Sequence, residues 1–140
     1  MSELAQQGLD AWNSHDGGKV AGLMADDVTF EGYASVPPSA LTDRSAVEEH
    51  VAACDRFAKN FKFAPVSAQQ CQGWYAHECE LTGTNTGAGL GLPATKNPYR
   101  LRGVSLGPYH DANGKIKEER SYFNGADFLK QLDLTPTPET

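Results

Sequence analysis

The segment that most constrains the fold of this chain is a run of small residues, glycines and a proline between two strand-like stretches. Residues Leu81–Gly87 and Gly91–Thr95 are followed by Tyr99–Leu106, which has the character of a strand. Such a segment lets a strand extend past a sheet, turn sharply and return as its neighbour. After a tight turn, Gly114–Phe123 has the pattern of a further strand. A helical first half followed by long antiparallel strands predicts an α+β fold, in which a curved sheet encloses a cavity.

The size and charge of the chain limit its class. A length of 140 residues favours one domain, which we place at 1–134 with a flexible tail at 135–140. The net charge of -6 disfavours nucleic-acid and anionic-membrane binders, because phosphate attraction needs a basic face. We expect no membrane span, since no apolar run reaches about 18 residues. The polar start of the chain, without a basic and then apolar segment, leads us to expect a cytoplasmic protein.

The cysteines do not form a recognisable framework. Cys54, Cys71 and Cys79 are odd in number and lack a Cys-x-x-Cys spacing. We therefore expect neither a set of disulfides nor a metal site.

Hydrophobic periodicity and capping residues predict the order of elements. One helical stripe carries Val47, His50, Cys54, Phe57 and Phe61, which follow the i, i+3, i+4 rule and so share an inward face. The predicted elements are helix 3–14, a short helix capped by Asp16, strand 28–33, loop 34–42, a helix capped by Asp43, strand 72–84, crossover 85–98, strand 99–110, strand 115–123 and a helical turn at 126–132.

A series of short motifs runs along nearly the whole chain. They are Trp12–Asp16, Asp26–Phe30, Thr82–Gly87, Gly91–Thr95, Arg102–Ser105, Gly114–Ile116 with Glu118–Glu119, and Tyr122–Leu132. In this order they resemble the NTF2-like superfamily and, within it, the SnoaL-like polyketide cyclase (ester cyclase) group. The resemblance implies a cone, in which a curved antiparallel sheet wraps around N-terminal helices and leaves an internal pocket. It also implies a homodimer.

The same resemblance implies a reaction. Cyclases of this group close a ring by an intramolecular aldol reaction without metal or cofactor, and a pocket carboxylate serves as general acid and base. That acid usually follows the aromatic pair of the last strand, and the matching residue here is Asn124. An amide has no proton to exchange near neutral pH, so Asn124 can orient an enolate but cannot replace the acid.

Two histidines are candidates for the base, because imidazole titrates near neutral pH. His50 lies on the apolar stripe of its helix. His77 lies on a strand whose alternation puts Tyr75, Cys79 and Leu81 on the same face, which we expect to turn inward. A structural role for each histidine remains the alternative.

The last strand offers polar groups on both faces. If Asn124 occupies the acid position of the family, Tyr122 and Arg120 face the pocket with it. Tyr122 would then donate to a developing oxyanion, and Arg120 and Arg102 would bind a carboxylate or enolate. The alternative is that Arg120 and Glu118 pair with strand neighbours at the rim.

Aromatic residues complete the set of predicted contacts to a hydrophobic ligand: Trp12, Tyr33 and Phe57. The first hypothesis is an enzyme that needs no cofactor and transfers a proton next to a carbonyl, leading to aldol cyclisation or isomerisation. The second is a non-catalytic binding protein that lost the family acid at Asn124. A third, an epoxide hydrolase, requires two inward Asp residues that the sequence does not place.

Overall fold

The computed structural model describes residues 3–32, 39–109 and 113–134. None of the helices within these ranges has the length and hydropathy needed to cross a membrane. In chain order the elements are α1 (Glu3–Asn13), α2 (Gly17–Ala21), β1 (Met24–Gly32), β2 (Ser39–Leu41), α3 (Arg44–Phe57), β3 (Lys62–Cys71), β4 (Trp74–Thr84), β5 (Pro98–Pro108), β6 (Ile116–Phe123) and α4 (Gly125–Gln131).

The strands form one sheet of six in the order β2-β1-β6-β5-β4-β3. Strands β3 to β6 follow one another as antiparallel neighbours. The pair β1 and β6 is parallel, so the N-terminal strand joins the sheet beside the last one. This is the predicted α+β architecture, with helices on one side of a mostly antiparallel sheet.

Helix starts match their capping signals. The side chain of Asp16 accepts hydrogen bonds from the backbone N–H groups of Gly18 and Lys19 at the start of α2. Asp43 accepts from the N–H of Ala46 at the start of α3. Two predicted boundaries shift: β1 begins at Met24 instead of residue 28, and α3 ends at Phe57, so Phe61 follows the helix.

Strand β3 was not predicted, and its composition explains why. Most of its side chains are exposed, because it is an edge strand with one neighbour. A register shift between Pro65 and Ser67 also breaks the two-residue alternation that identifies a strand. The short β2 falls in a segment predicted as loop.

The hydrophobic core lies between the helices and the sheet in two clusters. The first joins α1 to α3 and β1, with Val28, Val47 and Val51 fully buried. The second is centred on Phe57 and Leu132, and it anchors α4 to the end of α3. Trp12 packs against both clusters, so it lies at their junction.

The predicted crossover between β4 and β5 is held by a buried amide. The side chain of Asn85 is fully buried. Its Nδ2 donates to the carbonyl oxygens of Phe57 and Gly87, and its Oδ1 accepts from the N–H and the hydroxyl of Thr95. The amide therefore ties the crossover to the C-terminal end of α3.

We expect Asn85→Ala to lower the free energy of unfolding by about 2–3 kcal/mol, because it leaves buried backbone groups without partners. Urea denaturation measures this change. Asn60 is the matched control, since it is exposed and bonds to Thr84, and Asn60→Ala should cost about 1 kcal/mol or less. Equal losses in the two variants would contradict this account of the crossover.

Candidate active site

A cavity of about 640 Å³ lies between the helices and the concave side of the sheet. This volume is within the range of small-molecule sites. Most of its lining is apolar, with aromatic side chains from Trp12, Phe30, Phe57, Phe61, Phe63 and Phe128. Leu90, which is exposed, also lines the cavity, so the cavity reaches the surface near the crossover.

One part of the polar lining comes from three adjacent strands. His77 on β4 pairs in register with Ser105 on β5, and Ser105 pairs with Ser121 on β6. Glu119 lies two residues before Ser121 on the same face. These four side chains line the cavity from the sheet, opposite the aromatic groups of the helices.

Glu119 is a buried carboxyl that accepts a hydrogen bond from the side chain of Tyr75. Its side chain accepts from the hydroxyl of Tyr75 at 3.0 Å, and both residues are buried. Tyr75 is on β4 and Glu119 is on β6, so the bond crosses above β5. Gly107 of β5 is paired with Tyr75, and its lack of a side chain lets the carbonyl oxygen of Glu118 lie where a Cβ would be.

Burial raises the pKa of Glu119 to about 7, and the hydrogen bond from Tyr75 opposes this shift. Desolvation disfavours the carboxylate, while the phenol stabilises it. The pKa of Tyr75 is itself held well above its usual range, first by burial and then by the neighbouring negative charge of Glu119. The cavity therefore contains a carboxyl that exchanges a proton near neutral pH.

Both predicted histidines line the cavity. The ring of His50 lies 5.6 Å from Phe30 and 6.2 Å from Trp12, and its Nε2 is 3.8 Å from the Sγ atom of Cys54. Burial lowers the pKa of His50 and of His77. Each imidazole is therefore neutral at pH 7.

The remaining polar lining is also uncharged. Burial raises the pKa of the Cys54 and Cys79 thiols to about 12, so neither is a thiolate at neutral pH. No Lys or Arg lines the cavity in residues 3–32, 39–109 and 113–134. Within those ranges no three His, Cys, Asp or Glu side chains converge in a way that could hold a metal ion.

The inward face predicted for β4 is correct. Tyr75 and Cys79 are buried, and His77 and Leu81 line the cavity. The predicted ligand contacts Trp12 and Phe57 also lie in the lining. Tyr33 lies outside the described residues.

The inward face predicted for β6 is wrong. In register with β5, the strand turns Glu119, Ser121 and Phe123 to the cavity, and Tyr122 is exposed on the other face. On that outer face Arg120 pairs with Glu118 and places its guanidinium 5.6 Å from the Trp74 ring.

Two other predicted residues also lie away from the cavity lining. Arg102 is exposed and lies 3.7 Å from the Glu80 carboxylate, on the outer side of the sheet. Asn124 is the N-cap of α4 and accepts a hydrogen bond from the N–H of Asp127. None of the four, Tyr122, Arg120, Arg102 and Asn124, belongs to the lining described here.

Sequence reasoning missed Glu119, and a count of charges along the strand could not have found it. Lys115 and Lys117 alternate with Glu119, whereas the face with Glu118 and Arg120 also carries Ile116. Simple alternation therefore favours the wrong face as inward. The expectation that Asn124 faces the pocket led to the same choice.

We expect the buried carboxyl of Glu119 to make folding stability depend on pH. Its pKa is near 4.5 in the unfolded chain and about 7 when folded, so the contribution of this group to stability is fully present below pH 4.5 and is lost as pH rises through 7. The loss is on the order of 3 kcal/mol, since each pKa unit corresponds to about 1.4 kcal/mol. Glu119→Gln should remove this part of the slope in urea denaturation between pH 5 and 8.

Glu118 provides the matched control, because it is exposed and adjacent on the same strand. Glu118→Gln should retain the slope of the unsubstituted protein. An identical slope in Glu119→Gln and the unsubstituted protein would contradict a raised pKa.

The α+β sheet, the helices on its concave side and the cavity between them define the ketosteroid isomerase-like (NTF2-like) class of fold. A protein of that fold from Catenulispora acidiphila DSM 44928, solved in complex with trimethylamine, superposes with a TM-score of 0.82 at 19% identity, covering 99% of each chain. The sequence matches the SnoaL-like polyketide cyclase family over residues 2–132, so the chain belongs to that family.

Other similar structures carry names from the same family. A candidate SnoaL-like polyketide cyclase from Jannaschia sp. CCS1 has a TM-score of 0.80 at 15% identity, covering 96% of this chain and 92% of the other. IdmH, a candidate polyketide cyclase from Streptomyces antibioticus, has a TM-score of 0.74 at 19% identity, with coverages of 94% and 96%. No curated protein matches the sequence. At these identities the structures establish the fold.

Proposed function

We propose that this protein is an enzyme without a cofactor that transfers a proton at a carbon next to a carbonyl group, in a hydrophobic oxygenated small molecule. Glu119 is the general acid and base. The observation that carries the proposal is a buried carboxyl that faces an apolar cavity and has a pKa of about 7. A base whose pKa is near the working pH is deprotonated in a large fraction of the molecules and is still basic enough to take a proton from the substrate.

The lining supports the class of substrate. Its apolar and aromatic surface favours a ligand with a hydrophobic body. The lack of Lys and Arg in the described lining disfavours phosphate and carboxylate ligands. An enolate formed in the cavity would lead to an aldol ring closure or to isomerisation, which agrees with membership of a cyclase family.

The two histidines are further candidates for proton transfer. His50 and His77 are neutral imidazoles in the same lining, so each has a nitrogen able to accept a proton and another able to donate one. We assign Glu119 the first role because it is buried and accepts a hydrogen bond from Tyr75. The histidines would then serve at other positions of the substrate.

A non-catalytic binding protein is the second candidate. The observation in its favour is Asn124, which stands where the family usually has its acid. Asn124 instead caps α4, and Glu119 supplies a carboxyl from another position of β6. The enzyme and the binding protein therefore differ in whether bound ligands exchange protons.

Hydrogen exchange of 2-tetralone in D2O tests the proposal. This bicyclic ketone has acidic protons next to its carbonyl and no charge, and NMR follows their replacement by deuterium. We expect the protein to accelerate exchange over buffer, with a rate that rises as pH increases through about 7, because the carboxylate of Glu119 is the active form. Saturable binding with exchange at the buffer rate would favour the binding protein.

A further inference from the structure

A row of three polar side chains, His77, Ser105 and Ser121, lies next to Glu119 and has no role in the proton transfer itself. Ser105 is buried in the strand interior, although serine is usually exposed. Its Oγ lies 2.8 Å from the Oγ of Ser121, and both side chains line the cavity. His77 completes the row on β4.

One of the two O–H groups of the serine pair is not used in the hydrogen bond between them. A serine hydroxyl carries one O–H, so in a pair one hydroxyl donates and the other accepts. No second partner for either hydroxyl is found in the described part of the chain. The accepting serine therefore has an O–H that can be donated to a ligand in the cavity.

His77 has unused hydrogen-bonding capacity. Its Nδ1 is buried without a partner among the described residues. The imidazole is thus not held by a hydrogen bond at that nitrogen, and its ring stacks on Tyr75 with centroids 6.0 Å apart. It adjoins the serine pair in register, so an oxygen bound at the serines would lie beside it.

The spacing between this row and Glu119 fits an enolisable carbonyl. Side chains two residues apart on one strand are separated by roughly 7 Å. A carbonyl compound that bridges a base and a donor needs roughly 6–8 Å, since it makes two contacts of about 3 Å and its oxygen is two bonds from the acidic carbon.

We propose that His77, Ser105 and Ser121 form the subsite that binds the carbonyl oxygen of the substrate while Glu119 takes the proton from the neighbouring carbon. This inference rests on the proposed function. The C–H electron pair becomes the C=C bond of the enolate, and the carbonyl π pair moves to the oxygen. Glu119 holds the proton, and a serine O–H donates to the enolate oxygen. In exchange or isomerisation, a carbon of the enolate system takes a proton from Glu119 and the C=O bond re-forms. In ring closure, the enolate carbon bonds to a second carbonyl carbon of the same molecule, whose C=O π pair moves to its oxygen and takes the proton from Glu119.

The subsite also selects the chemical class of the substrate. Its hydroxyls and imidazole are neutral donors, with no cation beside them in the described lining. Such donors suit a neutral ketone whose oxygen becomes negative only during the reaction, and they do not compensate the desolvation of a preformed carboxylate. The expected substrate is therefore a neutral ketone on an apolar framework.

Removal of both hydroxyls tests the subsite, because in either single variant the O–H of the remaining serine could still donate to the ligand. The double variant Ser105→Ala/Ser121→Ala should slow the exchange of 2-tetralone about 10²- to 10³-fold, because the hydroxyl donor to the oxyanion is lost. Ser67→Ala is the matched control, since Ser67 is an exposed strand serine outside the cavity lining. Unchanged exchange in the double variant would overturn the subsite.

Binding measurements separate this inference from the proposed function. Calorimetry with 2-tetralone and with tetralin, the same framework without oxygen, gives the preference for the carbonyl. We expect the unsubstituted protein to prefer the ketone and the double variant Ser105→Ala/Ser121→Ala to lose that preference, with tetralin affinity unchanged. If exchange is absent but the double variant loses the preference, the proton-transfer function fails and the subsite stands. An equal preference for the ketone in the double variant and the unsubstituted protein would overturn the subsite.

Discussion

Glu119→Gln is expected to slow the exchange of 2-tetralone protons by about 10²- to 10⁴-fold, the usual contribution of a general base. The glutamine amide cannot take up a proton near neutral pH, so it cannot act as a base. Its oxygen can still accept the hydrogen bond from Tyr75. The variant should therefore keep its fold and its affinity for tetralin. NMR exchange rates at pH 8, where the carboxylate predominates, give the comparison.

The control for this variant is Glu118→Gln on the same strand. Glu118 is exposed and pairs with Arg120 on the outer face, so its removal should leave exchange within about twofold. A Glu119→Gln variant that exchanges 2-tetralone at the rate of the unsubstituted protein would assign the base to another residue, and His50 and His77 would be examined next.

Phe57→Ala is expected to have the largest effect on stability. The ring is 1% exposed and packs against Tyr99 and Phe128, with centroid distances of 5.8 and 5.7 Å. Loss of a buried aromatic ring costs about 3–5 kcal/mol, because contacts are lost and a void remains. Urea denaturation should show this decrease in the free energy of unfolding.

Val66→Ala is the control, since Val66 is 42% exposed on the edge strand β3. Its cost should stay within about 0.5 kcal/mol. A loss of less than about 1 kcal/mol in Phe57→Ala would mean that the second core cluster does not depend on this ring.

Local sequence signals predicted much of the fold. Asp16 and Asp43 cap helices as their positions indicated, and the alternation on β4 identified its inward face. These features depend on hydrogen bonds and patterns within a few residues, so they can be read from the chain. Strand β3 was missed because an exposed edge strand with a register shift has no clean alternation.

The centre of the candidate site could not be read in the same way. A buried glutamate is rare, so a local rule assigns Glu119 to solvent. What makes its burial possible is Tyr75, which lies 44 positions earlier and reaches it across Gly107. This contact depends on the pairing of three strands, and sequence alternation does not specify that register.

The resemblance predicted the family correctly. It also implied that the residue at the family's acid position, Asn124, faces the cavity, and this implication is wrong. The family match covers nearly the whole chain, but Asn124 lies at a helix start and Tyr122 on the outer face. The homodimer implied by the resemblance stays a prediction. Function in this fold therefore has to be argued from the side chains that line the cavity.

The most direct test is a carbon-13 NMR titration of the Glu119 side-chain carboxyl, assigned by comparison with Glu119→Gln. A carboxyl enclosed beside Tyr75 should titrate with a midpoint near 7. A midpoint near the ordinary value of 4.5 would mean that the group is solvated, and the acid/base site proposed here would be wrong.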